Sequence, residues 1–468
     1  MCAYTNNHVY PEGCFFKDLE SIRGKKVTVM GLGLNGGGEA CTRFFVRYGA
    51  DVTVTDMKTA EQLAPTLDSL KKDLAADFDR IRFVLGKHEL SDFENADCVI
   101  KNPGIKYEGN KFLAAAKAIE TDISLFLSLS KAPVIAVTGS KGKSSTVSAI
   151  HYGLLQAGKK AFLGGNITVS PLTFLEQTDE TTPVVLELSS WQLADLRGRS
   201  VLKPKIAVLT KIVPDHQNWY GAMEPYVADK KLIYADQTEN DFTLCMKNDE
   251  WGETFASETK GKVVWYGDGA EVPVRIENAL VPGAHMKQNL TNAALVLTLM
   301  GVSADKASRI MESFPGIPHR LEFFHSTKNS AGTEIRFYND SASTVPDSVA
   351  AALNAFEKPP VLLAGGTDKG LDFLPFVESA HLAKKIYLLE GTGTDKILPF
   401  LKEKQIAYSG PYGSLKEMLA AVKADLSELA GNEKTLNIVF SPGATSFGMF
   451  TNEFDRGNQF KALVKESF

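Results

Sequence analysis

Val134-Ile-Ala-Val-Thr-Gly-Ser-Lys-Gly-Lys-Ser-Ser-Thr146 is the stretch that decides how this chain is read. A β-branched apolar run enters a loop bounded by Gly139 and Gly142. The loop then opens into a helical pattern through Ser148, Ile150, Leu154 and Leu155. Strand, glycine loop and helix in that order predict a phosphate loop. Glycines let backbone N–H groups turn inward toward phosphate oxygens, and the helix N-terminus adds its dipole. Lys143 supplies a point charge and Ser144 a hydroxyl suited to Mg²⁺. The spacing is short, because only Ser140 and Lys141 separate the two glycines where the common pattern has four residues. A plain glycine turn capped by serines is the alternative. The lysine and serine directly at the helix start favour the phosphate loop.

Working outward, 468 residues predict on the order of three domains. An apolar share of 44% and a charged share of 23% are those of an ordinary soluble globular protein. A formal net charge of −5 and the lack of a long basic tract give no nucleic-acid footprint. Cys2, Cys14, Cys41, Cys98 and Cys245 are odd in number and contain no CxxC pair. That pattern fits a reducing cytoplasm and argues against a disulfide framework or a cysteine zinc site. Met1 to Leu19 has no continuous apolar run, so no secretory leader is expected. No stretch is long and apolar enough to predict a membrane span.

Three sections are expected, 1–127, 128–316 and 317–468, each α/β. In the first, the strand Lys26–Met30 leads into Gly31-Leu-Gly-Leu-Asn-Gly36, and a second strand ends at Asp56. GxGxxG with an acid about 20 residues on is the pattern of a nucleotide diphosphate laid on a helix N-terminus. A dinucleotide site is therefore one expectation and an unliganded βα turn another. Asp97-Cys-Val-Ile-Lys-Asn-Pro-Gly-Ile105 reads as a buried strand running into a turn. The middle section holds Val184-Val-Leu-Glu187, where an acid on an apolar strand requires a partner or a cation. A Mg²⁺ shared by Ser144 and Glu187 would explain it, and so would a hydrogen-bonded core glutamate. Asp215-His216 follows the strand Ile206–Thr210, at the strand end where α/β sheets place functional groups. Lys230 and Lys231 lie in a helical pattern and read locally as a solvated face. Phe314-Pro-Gly-Ile-Pro318 and Ser128–Pro133 read as linkers. In the last section, strands end at Asp340, Gly365, Glu390 and Ser441, which suggests a ligand face on a Rossmann-like sheet.

These motifs, in this order, resemble the Mur ligases of bacterial cell-wall synthesis from Gly31 to Phe460. The stretches carrying the likeness include Thr138–Ser144, Gly165-Asn-Ile167, Glu187-Leu-Ser-Ser-Trp-Gln192, Asp215-His216 and Tyr226–Lys230. Others are His319-Arg-Leu-Glu322, Asn339-Asp-Ser341, Gly365–Phe373, Ser441–Ser446 and Arg456-Gly457. The Gly365–Phe373 and Ser441–Ser446 stretches point to the glutamate-adding branch. The resemblance implies a cytoplasmic, monomeric enzyme with three domains: Rossmann-like, phosphate-loop ATPase-type and Rossmann-like. It implies ligation of D-glutamate to UDP-N-acetylmuramoyl-L-alanine at the expense of ATP, through an acyl phosphate, without nucleic acid or membrane. It carries the ATP contacts onto Gly139, Ser140, Lys141, Gly142, Lys143, Ser144, Ser145, Asn289, Arg320 and Asp340. Leu34, Asn35, Asp56, Asn102, Asn166, Ser189 and Gln192 become substrate contacts, and Thr344, Lys369 and Ser446 glutamate contacts. Lys143, Glu187, His216 and Lys230 become catalytic. Two Mg²⁺ sites are implied, one on Ser144 and Glu187, the other on His216 and an N6-carboxylated Lys230.

The sequence departs from the family pattern at Lys141, Asn218, Met286, Ala342 and Asn452-Glu-Phe-Asp455. Addition of another amino acid such as L-glutamate is the near alternative. An NAD-dependent oxidoreductase is the distant one, and it leaves the phosphate loop, Glu187 and the last section unexplained.

Overall fold

Apolar runs too continuous for one-sided burial become parallel strands covered on both faces. The computed structural model describes residues 14–468; Cys2 and most of the Met1–Leu19 stretch lie outside the described residues. The first sheet comprises β1 (Lys26–Met30), β2 (Asp51–Asp56), β3 (Arg82–Leu85), β4 (Cys98–Lys101) and β5 (Ile119–Glu120). All are parallel, in the order β3-β2-β1-β4-β5. The second comprises β6 (Val134–Thr138), β7 (Phe162–Gly165), β8 (Val184–Glu187), β9 (Ile206–Leu209), β10 (Phe242–Met246) and β11 (Lys262–Tyr266). It is also wholly parallel, in the order β11-β10-β9-β6-β8-β7. In each sheet the chain reverses its direction of spread at the first strand. The loops after β1 and β6 therefore open at topological switch points, the crevices where such sheets take ligands.

The third sheet comprises β12 (Glu322–Lys328), β13 (Glu334–Asn339), β14 (Val361–Gly365), β15 (Lys385–Leu389), β16 (Tyr408–Tyr412) and β17 (Thr435–Phe440). Its order is β12-β13-β17-β14-β15-β16, and only the edge pair β12 and β13 runs antiparallel. Alternate residues feed two cores. Phe337, Leu363 and Leu389 face one side with Phe460, and Tyr338, Leu362 and Leu388 face the other with Ile397.

The chain forms two compact units. One runs to Arg275 and takes in Thr291–Ala307; the other holds Ile276–Leu290 and Ser308–Phe468. The first and second sheets share the first unit and one continuous core, in which Val27 and Val54 join Val134 and Ala136. The helix Asp122–Leu129 overlaps the expected Ser128–Pro133 linker and begins with a capping box, Thr121 against Ser124. Ile276–Leu290, assigned from sequence to the middle section, belongs to the second unit, where the Tyr338 hydroxyl donates to the Leu280 carbonyl at 3.0 Å. Among the described residues, no helix is long and apolar enough to cross a membrane.

Candidate active site

β6 ends at Thr138, and the chain turns at once. Gly139 has φ +149°, and a Cβ there would sit 1.9 Å from the Thr210 hydroxyl. Only glycine fits that approach. The Ser140 hydroxyl donates to the Val213 carbonyl at 2.8 Å and lies 2.9 Å from the Tyr226 hydroxyl. The loop is thus fastened from beneath before the helix Lys143–Gln156 starts. Lys143 Nζ donates to the carbonyls of Gly139 (2.9 Å) and Ser140 (3.1 Å).

Lys230 Nζ donates to the same Gly139 carbonyl, also at 2.9 Å. Its neighbour Asp229 fixes the helix Met223–Lys231, accepting from Arg197 at 2.5 Å and from the Tyr220 hydroxyl at 2.9 Å. Lys230 is 2% exposed, which overturns the solvated-face expectation for it. Lys231, by contrast, pairs with Glu258 at 2.6 Å. Burial, and after it the Lys143 charge, pushes the Lys230 amine down to about 7. Burial lowers Lys143 as well. The fold thus brings two lysine amines onto one carbonyl, where burial disfavours the charge of each.

Glu187 closes β8 and is 1% exposed. Its Oε1 accepts from Asn166 Nδ2 at 2.9 Å, while its Oε2 is buried with no hydrogen-bond partner. Asn166 reaches it because Gly165, at φ +99°, passes where a Cβ would lie 2.1 Å from the Glu187 carbonyl. A buried carboxylate oxygen without a donor is costly and is the natural seat of a cation. Among the described residues, no three His, Cys, Asp or Glu side chains gather into a cage. Mg²⁺ needs none, being held by one or two carboxylates plus substrate phosphates. The half-buried Ser144, in the first turn of the phosphate-loop helix, supplies a hydroxyl of the right chemistry.

His216 is exposed, holds a left-handed backbone (φ +52°), and lays its ring 4.8 Å from that of Trp191. Its N–H donates to Asp215 Oδ1 at 3.0 Å. Lys141 lies 3.5 Å from Asp215 Oδ2. Burial pushes the Asp215 carboxyl up, but Lys141 and His216 prevail and hold it below its usual range.

Two clefts open within the first unit. One, of about 900 Å³, is lined by Leu34, Asn35, Asp56 and Asn102, with His88 and Phe112 opposite. The other, of about 320 Å³, again takes Asn35 and Asn102 and adds Asn166, Ser189 and Gln192. Ser189 and Gln192 form a capping box that opens the helix Ser190–Ala194. Asp56 accepts from the N–H groups of Gly33 (3.0 Å) and Lys58 (2.9 Å), so it also braces the glycine turn.

In the second unit, Asn289 is buried in the helix Ala284–Leu299 and Arg320 is exposed. Asp340 is 6% exposed and saturated: Oδ2 accepts from the hydroxyls of Ser343 (2.5 Å) and Ser441 (2.7 Å), and Oδ1 from Leu321 N–H (3.0 Å). Burial pushes its carboxyl up to about 6. The turns carrying the exposed Lys369 and the buried Ser446 are stitched by reciprocal Thr367–Thr445 backbone bonds. Thr344 is half-buried. Arg456, to which the sequence assigns no role, is 1% exposed and donates to the carbonyls of Ala444 (3.0 Å) and Ser341 (2.9 Å).

The Mur ligase middle-domain family model matches residues 137–301, and the model of the MurD-like N-terminal domain of Mur ligases matches 25–124. UDP-N-acetylmuramoylalanine--D-glutamate ligase of Treponema pallidum (strain Nichols) is 41% identical, over 96% of this chain and 98% of that protein. The chain belongs to the Mur ligase family. The enzyme of the same name from Borreliella burgdorferi (strain ATCC 35210 / DSM 4680 / CIP 102532 / B31) is 38% identical to this Mur ligase, over 95% and 99%. Among solved structures, UDP-N-acetylmuramate-alanine ligase MurC of Thermotoga maritima shares the fold, with a TM-score of 0.53 at 18% identity, over 95% of this chain and 100% of that one. MurF of Acinetobacter baumannii does so with a TM-score of 0.52 at 16% identity, over 81% and 93%.

Proposed function

We propose that this Mur ligase joins D-glutamate to UDP-N-acetylmuramoyl-L-alanine, the ligation its relatives are named for, and that it does so in the cytoplasm, consuming ATP. An oxygen of the alanyl carboxylate attacks the γ-phosphorus of ATP. The bond to the β,γ-bridging oxygen breaks, ADP leaves with the electron pair, and an acyl phosphate results. The glutamate amine, having given up a proton, attacks the acyl carbon. The C–O bond to phosphate breaks, the second amine proton departs, and the amide and inorganic phosphate remain.

The obstacle is charge, because an anionic carboxylate must approach an anionic phosphate. Preorganised positive groups are the remedy with the largest effect on such barriers. Lys143, beside the loop, is placed to meet that charge directly, and Lys230 acts through the cation it would help to hold. The carrying observation is Glu187, whose Oε2 is buried without a partner and whose charge is felt by both lysines. Glu187 and Ser144 would hold one Mg²⁺, which when bound neutralises phosphate charge. His216 and Lys230 would hold a second. For that, Lys230 must carry a carboxylate, formed when its neutral amine adds CO₂ and releases a proton. An amine pushed down to about 7 is neutral often enough near neutral pH to do so.

Leu34, Asn35, Asp56 and Asn102 are assigned to the UDP end of the substrate, and Asn166, Ser189 and Gln192 to its sugar and alanyl end. Thr344, Lys369 and Ser446 are assigned to glutamate, where an ammonium beside hydroxyls suits a carboxylate. Asn289, Arg320 and Asp340 are assigned to the nucleotide.

The test is phosphate release from ATP with UDP-N-acetylmuramoyl-L-alanine, offering D-glutamate, L-glutamate and other amino acids in turn. Release stimulated by D-glutamate alone is expected. Stimulation by L-glutamate in its place would move the enzyme to the near alternative, and no stimulation by any amino acid would sink the ligase reading. Lys230→Ala is expected to lose activity and to regain part of it with short carboxylic acids; full activity without them contradicts the carbamate.

A further inference from the structure

A charged side chain with no role in the chemistry above is buried between the first and second sheets. Lys101, the last residue of β4, has a wholly buried side chain, and its Nζ lies 2.9 Å from Asp195 Oδ2. Asp195 follows directly on the helix Ser190–Ala194. The same ammonium donates to the carbonyls of Asn102 (3.2 Å), Pro103 (3.5 Å) and Ile105 (3.1 Å). One lysine thus holds a whole turn of the first sheet and a helix of the second.

The turn has a second tie. Lys106 Nζ sits 3.8 Å from the centroid of the Trp219 ring, and Trp219 lies 4.7 Å from Trp191 in the helix that Asp195 ends. The turn and the helix also both line the smaller cleft, the turn through Asn102 and Gly104 and the helix with its cap through Ser189, Trp191 and Gln192.

A buried ion pair is weak evidence for stability, since apolar residues of equal volume often fold as well or better. What it supplies here is register. Sliding the turn along the helix would carry the ammonium and its carbonyls away together and leave the buried Asp195 carboxylate, whose oxygens have no other hydrogen-bond partner among the described residues, at full desolvation cost. Surface packing alone would not impose that penalty.

We infer that Lys101, with Asp195, is a positioning residue for the nucleotide-sugar substrate: it sets the separation of the Asn102 turn and the Ser189–Gln192 helix that grip it. This rests on the assignment of that cleft to UDP-N-acetylmuramoyl-L-alanine. The Lys101 ammonium is taken up by Asp195 and three turn carbonyls, so it acts through the walls it joins and its effect falls on the KM of one substrate.

The experiment compares wild type with Lys101→Met/Asp195→Leu, which removes both charges at similar volume, and with Lys106→Ala, a surface change that spares the core. For the double variant, a KM for UDP-N-acetylmuramoyl-L-alanine at least tenfold higher is expected, with KM for ATP, kcat and melting midpoint near wild type. Lys106→Ala is expected to raise the same KM severalfold. An unchanged nucleotide-sugar KM in a folded double variant overturns the inference, as does a parallel rise in both KM values. Should the double variant fail to fold, an unchanged KM in Lys106→Ala overturns it. If wild type itself shows no turnover dependent on the nucleotide sugar, the substrate assignment falls first and the inference with it. An active wild type beside an unaffected double variant removes the inference alone.

Discussion

At the phosphate loop, Lys143 and Lys230 crowd onto one carbonyl and Glu187 keeps an oxygen with no donor. At the ends of β13 and β17, Asp340 is equally buried, yet three donors saturate it, and Arg456 is likewise taken up by carbonyls and the Ser341 hydroxyl. Both clusters read from sequence as polar residues at strand ends. Their difference lies in what the fold leaves undone. Groups left without partners are poised for ligands, whereas saturated groups hold the scaffold that presents them. Substitutions should therefore differ, acting on activity alone in the first cluster and on stability as well in the second.

The largest expected effect is at Glu187. Glu187→Gln should cut ligation by about 10²–10³-fold, the scale of removing one preorganised electrostatic group. The melting midpoint should stay close to wild type, because Oε2 has no partner to lose. A midpoint that falls together with the rate would erase the contrast. Asp340→Ala should act in the opposite sense. It strands two hydroxyls and a backbone N–H, each worth about 1–3 kcal/mol when left unsatisfied, so urea unfolding should move to a clearly lower midpoint. Wild-type stability in that variant would mean that Asp340 is held for a ligand alone.

A smaller effect concerns pH. Lys230 sits near 7 in the folded chain against 10.5 as its ordinary value. Between those values the unfolded chain binds more protons, so this lysine makes stability rise as pH climbs from about 7 toward 10.5. Below 7 both states are protonated and the group adds no further slope. Lys230→Met should flatten that part of the stability–pH curve, and Lys143→Met should shift its onset upward by removing a neighbouring like charge. A curve unchanged in both variants would break the account of the paired lysines. The smallest effect is at Lys141, whose side chain is 70% exposed. Lys141→Asn should alter stability by no more than about 1 kcal/mol, as exposed pairs do, measured by urea unfolding; a larger loss would give its pairing with Asp215 a structural weight.

Strands β1, β2, β6, β8, β9, β14, β15 and β17 were legible because both faces are covered and the apolar runs are continuous. The edge strand β16 was not: Tyr408-Ser-Gly-Pro-Tyr412 carries turn residues, which edges tolerate and sequence patterns penalise. β3 hides for the same reason, with Arg82 exposed at its start. The phosphate loop and Glu187 stood out because an acid or a lysine in an apolar context is locally anomalous. Lys230 did not, since its helix has a polar composition and only distant residues, Gly139 above all, bury it. Lys101 and Asp195, or Glu120 and Arg199, are buried pairs whose members look like surface charges until the fold joins them. No local pattern encodes a partner 79 residues away, as for Glu120 and Arg199, or farther, as for Lys101 and Asp195.

The central claim is that this site activates a carboxylate by phosphorylating it. UDP-N-acetylmuramoyl-L-alanine labelled with ¹⁸O in its alanyl carboxylate tests it directly. Turnover with ATP and D-glutamate should transfer one ¹⁸O into each inorganic phosphate released, read by mass spectrometry. Amide product formed alongside unlabelled phosphate, the displaced ¹⁸O leaving in water instead, would contradict the account.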